Sequence, residues 1–367
     1  MKQAKVNISL SKVYIDKALK QSVLKVLDSG RFILGDESRA FEEEFARFIG
    51  TKFAILTGSG TSAIWLTLMS LGIKEGDEII VPSHTAFPTV EPILNLKARP
   101  VFVDIDDTYT IDPAKIEEKI TRKTKGIIPV HLYGHPANMA EIARIARKHG
   151  LFISEDACQA HGAKFKDRAA GSMGVAGCFS FYPSKNLTVC GDGGIVTTDS
   201  SRINKEIRML RDHGRASKYL HSVSGYNERF NEIQAAIGRC GLKRLDAFNL
   251  RRREIAAAYA KGLKGLPVVL SQEKPWAYHV WHMFVIRAEG RDKIREYLLN
   301  KGVETGVHYP VPCHLQPPLS GKEKQKGLPL TEKYCSQILS LPMHPMLKDA
   351  DVRYVCRQLR AYFHDAR

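Results

Sequence analysis

Short runs of apolar and β-branched residues alternate along the chain with longer amphipathic stretches. Phe53-Ala54-Ile55-Leu56-Thr57 predicts a strand, and the pattern from about Thr61 to Leu71 a helix. Glu78 to Pro82 predicts a second strand, followed by a helical stretch to about Leu96. Val101 to Ile105, Gly126 to His131 and Leu151 to Asp156 continue the series, with helices expected over Pro113 to Ile120 and Ala137 to His149. Strands this continuously apolar have both faces covered, so the pattern predicts an α/β chain with a parallel sheet between helices. After Asp156 the rhythm changes. Cys178 to Tyr182 and Gly194 to Thr198 read as strands with only a glycine-rich loop between them, and long helical patterns fill 200–212 and 228–264. A strand over His282 to Ile286, a helix and a proline-rich loop at 309–318 predict a smaller α+β unit. The expected division is a large domain over 1–245 and a small one over 246–367, with no internal repeat.

Composition narrows the class. Hydrophobic residues are 44% and charged residues 26% of the 367, which suits a folded chain. The longest apolar candidate for a membrane span, Phe53 to Ile73, is interrupted by Thr57-Gly58-Ser59-Gly60-Thr61-Ser62, so no membrane segment is expected. The first residues lack the apolar core of a signal peptide. Seven cysteines show no Cys-x-x-Cys pair, so neither a metal site nor a disulfide framework is expected, and a cytoplasmic location is. Lys and Arg total 55 against 39 Asp and Glu, a net charge of +16. That excess serves either a solvated surface or a phosphate-bearing ligand. Its densest cluster, Arg251-Arg252-Arg253, lies in a helical pattern, and no basic stripe interleaved with aromatics predicts nucleic-acid binding.

Three segments could carry chemistry. The loop Thr57-Gly58-Ser59-Gly60-Thr61-Ser62-Ala63 leaves a strand and opens a helix, where backbone N–H groups and the helix dipole favour an anion. It matches a dinucleotide fingerprint, but Asp77-Glu78 begins the next strand, whereas a ribose-binding acid should end it. A small phosphate or an ordinary capped turn remain as readings. In Ser154-Glu155-Asp156-Ala157-Cys158-Gln159-Ala160-His161 the two acids alternate in facing, so one of them can look into a site at the carboxyl edge of the sheet; the alternative is a capping Asp. Lys185 sits between the aromatic strand Cys178 to Tyr182 and the loop Gly191-Asp192-Gly193-Gly194. It is either a surface lysine or a desolvated nucleophile for an aldehyde.

Taken together, a phosphate cradle, an acid for a ring nitrogen and a Schiff-base lysine are the demands of pyridoxal 5′-phosphate (PLP). With Leu27-Asp28-Ser29-Gly30, Pro129-Val130-His131-Leu132-Tyr133-Gly134, Glu155 to Gly162, Ser180 to Asn186, Gly225-Tyr226-Asn227-Glu228-Arg229, Gln234-Ala235-Ala236 and Val307-His308-Tyr309-Pro310, the chain resembles the DegT/DnrJ/EryC1/StrS sugar aminotransferases over nearly its whole length. The resemblance implies the fold type I architecture of the aspartate aminotransferase superfamily, with a mostly parallel seven-stranded sheet. It implies that Lys185 forms the Schiff base, Asp156 pairs with the pyridinium nitrogen and Gln159 lies near the ring hydroxyl. Gly60, Thr61, Ser62 and Ser180 would hold the phosphate, with Asn227 reaching in from the partner of a homodimer. His308, Tyr309 and His314 would frame a nucleotide-linked keto sugar, glutamate would donate the amino group through pyridoxamine phosphate (PMP), and the stretch from Leu210 to Asn227 favours C3 over C4 amination. Related PMP-dependent dehydratases carry histidine at the position of Lys185. Ala86 stands where the family usually puts an aromatic residue against the ring, which leaves His84, Phe87 or looser packing.

Overall fold

The computed structural model describes residues 7–319 and 327–365. The central sheet has the spatial order Phe53–Thr57, Gly194–Thr198, Ala176–Ser180, Phe152–Asp156, Thr124–Ile127, Glu78–Pro82, Arg99–Val103. Only Gly194–Thr198 runs antiparallel, to both of its neighbours; the rest of this seven-stranded sheet is parallel. The expected α/β architecture is therefore present. Its strands bury both faces, and their side chains alternate as a pleat requires: Cys178 enters a core with Ile64, Leu66 and Leu68 of the helix Gly60–Ser70. Phe179 enters the other core, where it meets Phe45 edge to face at 5.0 Å between ring centroids.

Several boundaries differ from the expected ones. The helical stretch before Leu96 is a 3-10 turn, Phe87–Thr89, and a short helix, Glu91–Asn95, because Pro88 and Pro92 each restart it. Pro113 to Ile120 is two single 3-10 turns, Pro113–Lys115 and Glu117–Lys119, too short to repay an α-helical nucleus. The strand expected to reach His131 stops at Ile127, since Pro129 has no N–H for the ladder, and only an isolated bridge from Val130 to Asp156 continues it. The strand expected at Val101 starts at Arg99 and ends at Val103. The helical pattern 228–264 breaks into Glu232–Leu242 and Leu245–Gly262.

Val269–Leu270, Phe284–Arg287 and Ile338–Leu341 form a second, antiparallel sheet. Tyr259, Leu298 and Leu359 of the helices Leu245–Gly262, Arg291–Asn300 and Asp349–Asp365 pack with Phe284 to make its core. The expected strand at His282 begins at Phe284, which leaves Trp281, His282 and Met283 as irregular backbone beside the large sheet. Among the described residues no helix is long and apolar enough to cross a membrane.

Candidate active site

A cleft of about 550 Å3 lies at the carboxyl edge of the parallel strands. The ends of those strands and their loops supply Ser59, Gly60, Thr61, Val130, Asp156, Cys158, Gln159, Ser180 and Lys185; Met283, His308 and Tyr309 close it from the small unit. Ligands of open α/β sheets bind at this edge, where loops can vary without disturbing the ladder.

The helix Gly60–Ser70 points its N-terminus into the cleft. Ser59 caps it, its Oγ accepting from the Ser62 N–H at 3.0 Å and meeting Ser62 Oγ at 2.9 Å. A Cβ on Gly60 would lie 2.6 Å from Ser180 Cβ, and one on Gly194 only 2.2 Å from the Ser59 carbonyl oxygen. Both glycines are therefore needed to bring the loop against Ser180. Of the expected phosphate ligands, Gly60, Thr61 and Ser180 line the cleft; Ser62 is turned into the cap.

Glu155 and Asp156 separate as strand neighbours must. Glu155 is fully buried on the far side, accepting from His131 Nε2 at 2.9 Å and from the N–H groups of Gly171, Met173 and Gly174. Asp156 faces the cleft, 4% exposed. Its Oδ1 accepts from the Cys158 N–H at 3.0 Å and its Oδ2 from Thr89 Oγ1 at 2.7 Å, and Thr89 Oγ1 lies 2.8 Å from Thr85 Oγ1. Thr89 is a residue the motifs did not indicate: it lies 67 positions from Asp156, and nothing local marks it.

Lys185 also faces the cleft, and its Nζ makes no hydrogen bond or ion pair among the described residues. Burial lowers its pKa; Cys158 and Asp156 push back the other way. The next residue, Asn186, is buried and anchored to Asn249 and to the Val280 carbonyl, which fixes the backbone that carries the amine. Gln159 Oε1 accepts from the Tyr133 N–H at 2.8 Å, so its NH2 is directed at Tyr309 Oη, 3.2 Å away. Burial raises the pKa of Tyr309. His308 bonds Ser340 Oγ through Nδ1 at 2.9 Å, and burial together with Lys185 lowers its pKa to about 4.

His314 does not line the cleft. Its Nδ1 lies 2.6 Å from Ser83 Oγ and its Nε2 3.3 Å from Glu332. Asn227 is exposed and does not line the cleft, and its Oδ1 accepts from Arg229 Nε at 3.0 Å. His84 is buried away from the cleft, held between Tyr133 Oη at 2.8 Å and Cys335 Sγ at 3.2 Å, with its pKa lowered to about 4 by burial. Ala86 and Phe87 do line it, which leaves Phe87 as the aromatic ring of that loop facing the cleft.

An α/β fold with a lysine, a carboxylate and a helix N-terminus converging at its carboxyl edge is the architecture of a PLP-dependent transferase. Residues 13–360 match the model of the DegT/DnrJ/EryC1/StrS aminotransferase family, and the chain belongs to that family. It is similar to the dTDP-3-amino-3,4,6-trideoxy-alpha-D-glucose transaminase of Streptomyces venezuelae, at 45% identity over 89% of this chain and 87% of the relative. It is 42% identical to the UDP-N-acetyl-3-dehydro-alpha-D-glucosamine 3-aminotransferase of Acidithiobacillus ferrooxidans, over 93% and 92% of the two chains. The crystal structure of DesV from S. venezuelae in complex with a ketimine intermediate superposes with a TM-score of 0.91 and 43% identity, covering 94% of each chain.

The cofactor of this family is PLP. The residues present fit it: an amine without a partner, a buried carboxylate held by donors on both oxygens, and a glycine cradle at a helix N-terminus share one cleft.

Proposed function

We propose that this enzyme transfers an amino group from glutamate to the keto carbon of a nucleotide-linked sugar, at C3 rather than C4. The observation that carries this reading is the meeting of the unpartnered Lys185 amine and the oriented Asp156 carboxylate in one cleft. Similarity to two enzymes named as aminating sugars at C3 supports the substrate class and C3. The net charge of +16 gives a nucleotide diphosphate and a dicarboxylate donor the same electrostatic welcome.

When bound, PLP supplies an aldehyde for the amino group and a ring that accepts electron density from the carbon being deprotonated. In this reading Lys185 Nζ is the nucleophile toward that aldehyde and afterwards the base that lifts a proton and returns it nearby. Its burial keeps a larger fraction unprotonated than an exposed lysine would have. Asp156, aligned by Thr89 and the Cys158 N–H, holds a proton on the ring nitrogen. Gly60, Thr61 and Ser180 bind the phosphate through the helix N-terminus and a hydroxyl. Gln159 would offer the ring hydroxyl the NH2 hydrogen that Tyr309 does not take, and Phe87 would supply the aromatic side chain that Ala86 does not. His308 and Tyr309 would contact the sugar, while His314, held by Ser83 and Glu332, lies outside the cleft.

We further propose a division near residue 245, a cytoplasmic location and a homodimer with composite sites. The entry of Ile255 and Tyr259 into the core of the second sheet supports the division, and the seven free thiols support a reducing compartment. The exposure of Asn227 outside its own cleft supports its delivery to a partner. Mixing inactive Lys185→Ala subunits with Asn227→Ala subunits of weakened cofactor binding is expected to restore activity. One site of each mixed dimer would hold Lys185 from one subunit and Asn227 from the other. If Asn227 serves its own subunit, no mixed site is intact and mixing restores nothing.

A further inference from the structure

His282 sits behind Lys185 with half of its hydrogen-bonding capacity unused. A chain of amides fixes which half. Asn249 Nδ2 donates to the His161 carbonyl at 2.8 Å, so Asn249 presents its Oδ1 to Asn186. Asn186 Nδ2 donates to that oxygen at 2.9 Å and to the Val280 carbonyl at 3.1 Å. Asn186 Oδ1 is then what meets His282 Nδ1, at 3.2 Å, and an amide oxygen can only accept. The ring proton of His282 is therefore on Nδ1, and Nε2 keeps a lone pair. The backbone at His282 is equally fixed. The buried Arg252 guanidinium has no carboxylate partner among the described residues and donates to the carbonyls of Trp281, His282 and Met343 at 3.3, 3.2 and 3.0 Å.

His282 Nε2 is buried and has no hydrogen-bond partner among the described residues; the residue is 3% exposed. An acceptor shut away from water without a donor costs free energy. Lys185 Nζ is the complementary case, a donor without an acceptor among the described residues, and its charge helps to lower the His282 pKa. His282, Ser184, Met283 and His308 line a small pocket of about 50 Å3, and the last three of these also line the cleft that holds Lys185. The lining of this pocket includes Ser11, Ser184 and the two histidines, polar groups of the kind that hold a bridging water.

We propose that His282 is a positioning residue whose Nε2 lone pair accepts a hydrogen bond from Lys185 Nζ, directly or through one water, and steadies the ammonium each time Lys185 takes a proton. The proposal rests on the reading of Lys185 as the proton carrier. Burial, with Lys185, Arg252, His161 and His308 all facing it, holds the His282 pKa well below the ordinary histidine value. His282 thus remains an acceptor and does not compete with Lys185 for the proton. Toward Lys185, Cys158 and Asp156 favour the charged amine against the burial that disfavours it, while His161 and His308 also feel its charge.

The test uses two variants and two readouts beside turnover. His282→Asn keeps a donor near Asn186 and removes the Nε2 acceptor, whereas His282→Gln puts an amide oxygen near the Nε2 position. Nitrogen-15 NMR of histidine-labelled wild-type protein, with His282 assigned by its loss in a variant, is expected to show a neutral ring protonated on Nδ1 at every working pH. A ring protonated on Nε2, or an imidazolium, overturns the proposal even if neither variant folds. The pH dependence of Lys185 reactivity toward a simple aldehyde, measured on cofactor-free protein, should move to lower pH in His282→Asn, because an acceptor stabilises the ammonium and its loss favours the free amine. The amino-donor half-reaction should slow about tenfold in His282→Asn with little change in KM, and recover in His282→Gln. Wild-type kcat with an unmoved Lys185 titration in His282→Asn also overturns the proposal. The NMR and aldehyde readouts need neither cofactor nor sugar, so failure here stays separate from failure of the assigned reaction.

Discussion

Replacing Lys185 with alanine is expected to abolish transamination, lowering turnover by at least about 10³-fold, because one amine acts as both nucleophile and proton carrier. The visible absorbance that depends on the bond between the cofactor and the lysine should vanish with it. The loss will be chemical, not structural. Apart from the proposed contact with His282, Lys185 Nζ has no hydrogen-bond or ion-pair partner among the described residues to forfeit, and burial has lowered its pKa in the fold. A lysine whose folded pKa lies below its unfolded one destabilises the protein fully below the folded value and not at all above the unfolded one. The cofactor-free Lys185→Ala protein should therefore melt no lower than the parent, with any gain largest at acidic pH and gone as pH rises past the ordinary lysine value. Calorimetry at two pH values, beside a spectrum and a rate, checks all three. A variant that turns over at the parental rate removes Lys185 from its role.

Asp156→Asn should keep much of its cofactor and lose about 10²- to 10³-fold in rate, a loss of the size seen when one oriented group that stabilises developing charge is removed. The substitution is nearly isosteric. Its Oδ1 can still accept from the Cys158 N–H, but the NH2 group now faces Thr89 Oγ1 and the cleft, and no negative charge remains to hold a proton on the ring nitrogen. Thr89→Val, which removes the donor to Oδ2 and keeps the shape, should lower the rate far less and leave the absorbance in place. Equal losses in the two variants would transfer the effect from charge to orientation.

The parallel sheet and the three chemical segments were legible because they are written locally. Ile79-Ile80-Val81 and Leu151-Phe152-Ile153 are short apolar runs bounded by polar or turn residues. Asp156 ends a strand, Gly60 opens the helix after the strand ending at Thr57, and Lys185 lies in the loop after the strand ending at Ser180. Glu155 and Asp156 could be told apart as a pair by alternation, but only the tertiary fold says which of them faces the cleft. What stayed hidden depends on partners far along the chain. Thr89 reaches Asp156 across 67 positions, and Asn186 reaches His282 across 96. His314 is expected to frame the sugar from within the proline-rich loop, yet Ser83, 231 positions away, meets its Nδ1. The helix expected over Pro113 to Ile120 failed for a different reason. Its periodicity is sound, but fewer than three turns give too few hydrogen bonds to hold it, and buried Ile116 fixes a pair of 3-10 turns instead.

The most direct measurement charges the enzyme to its PMP form and mixes it with a 3-keto nucleotide sugar, without amino donor. Absorbance should report the return of PLP, and mass spectrometry should report one amino sugar formed for each cofactor converted, faster than with the 4-keto isomer. Conversion of the 4-keto compound alone would overturn C3. No conversion by any nucleotide-linked keto sugar, while simple 2-oxo acids convert the same PMP enzyme readily, would contradict the account at its centre.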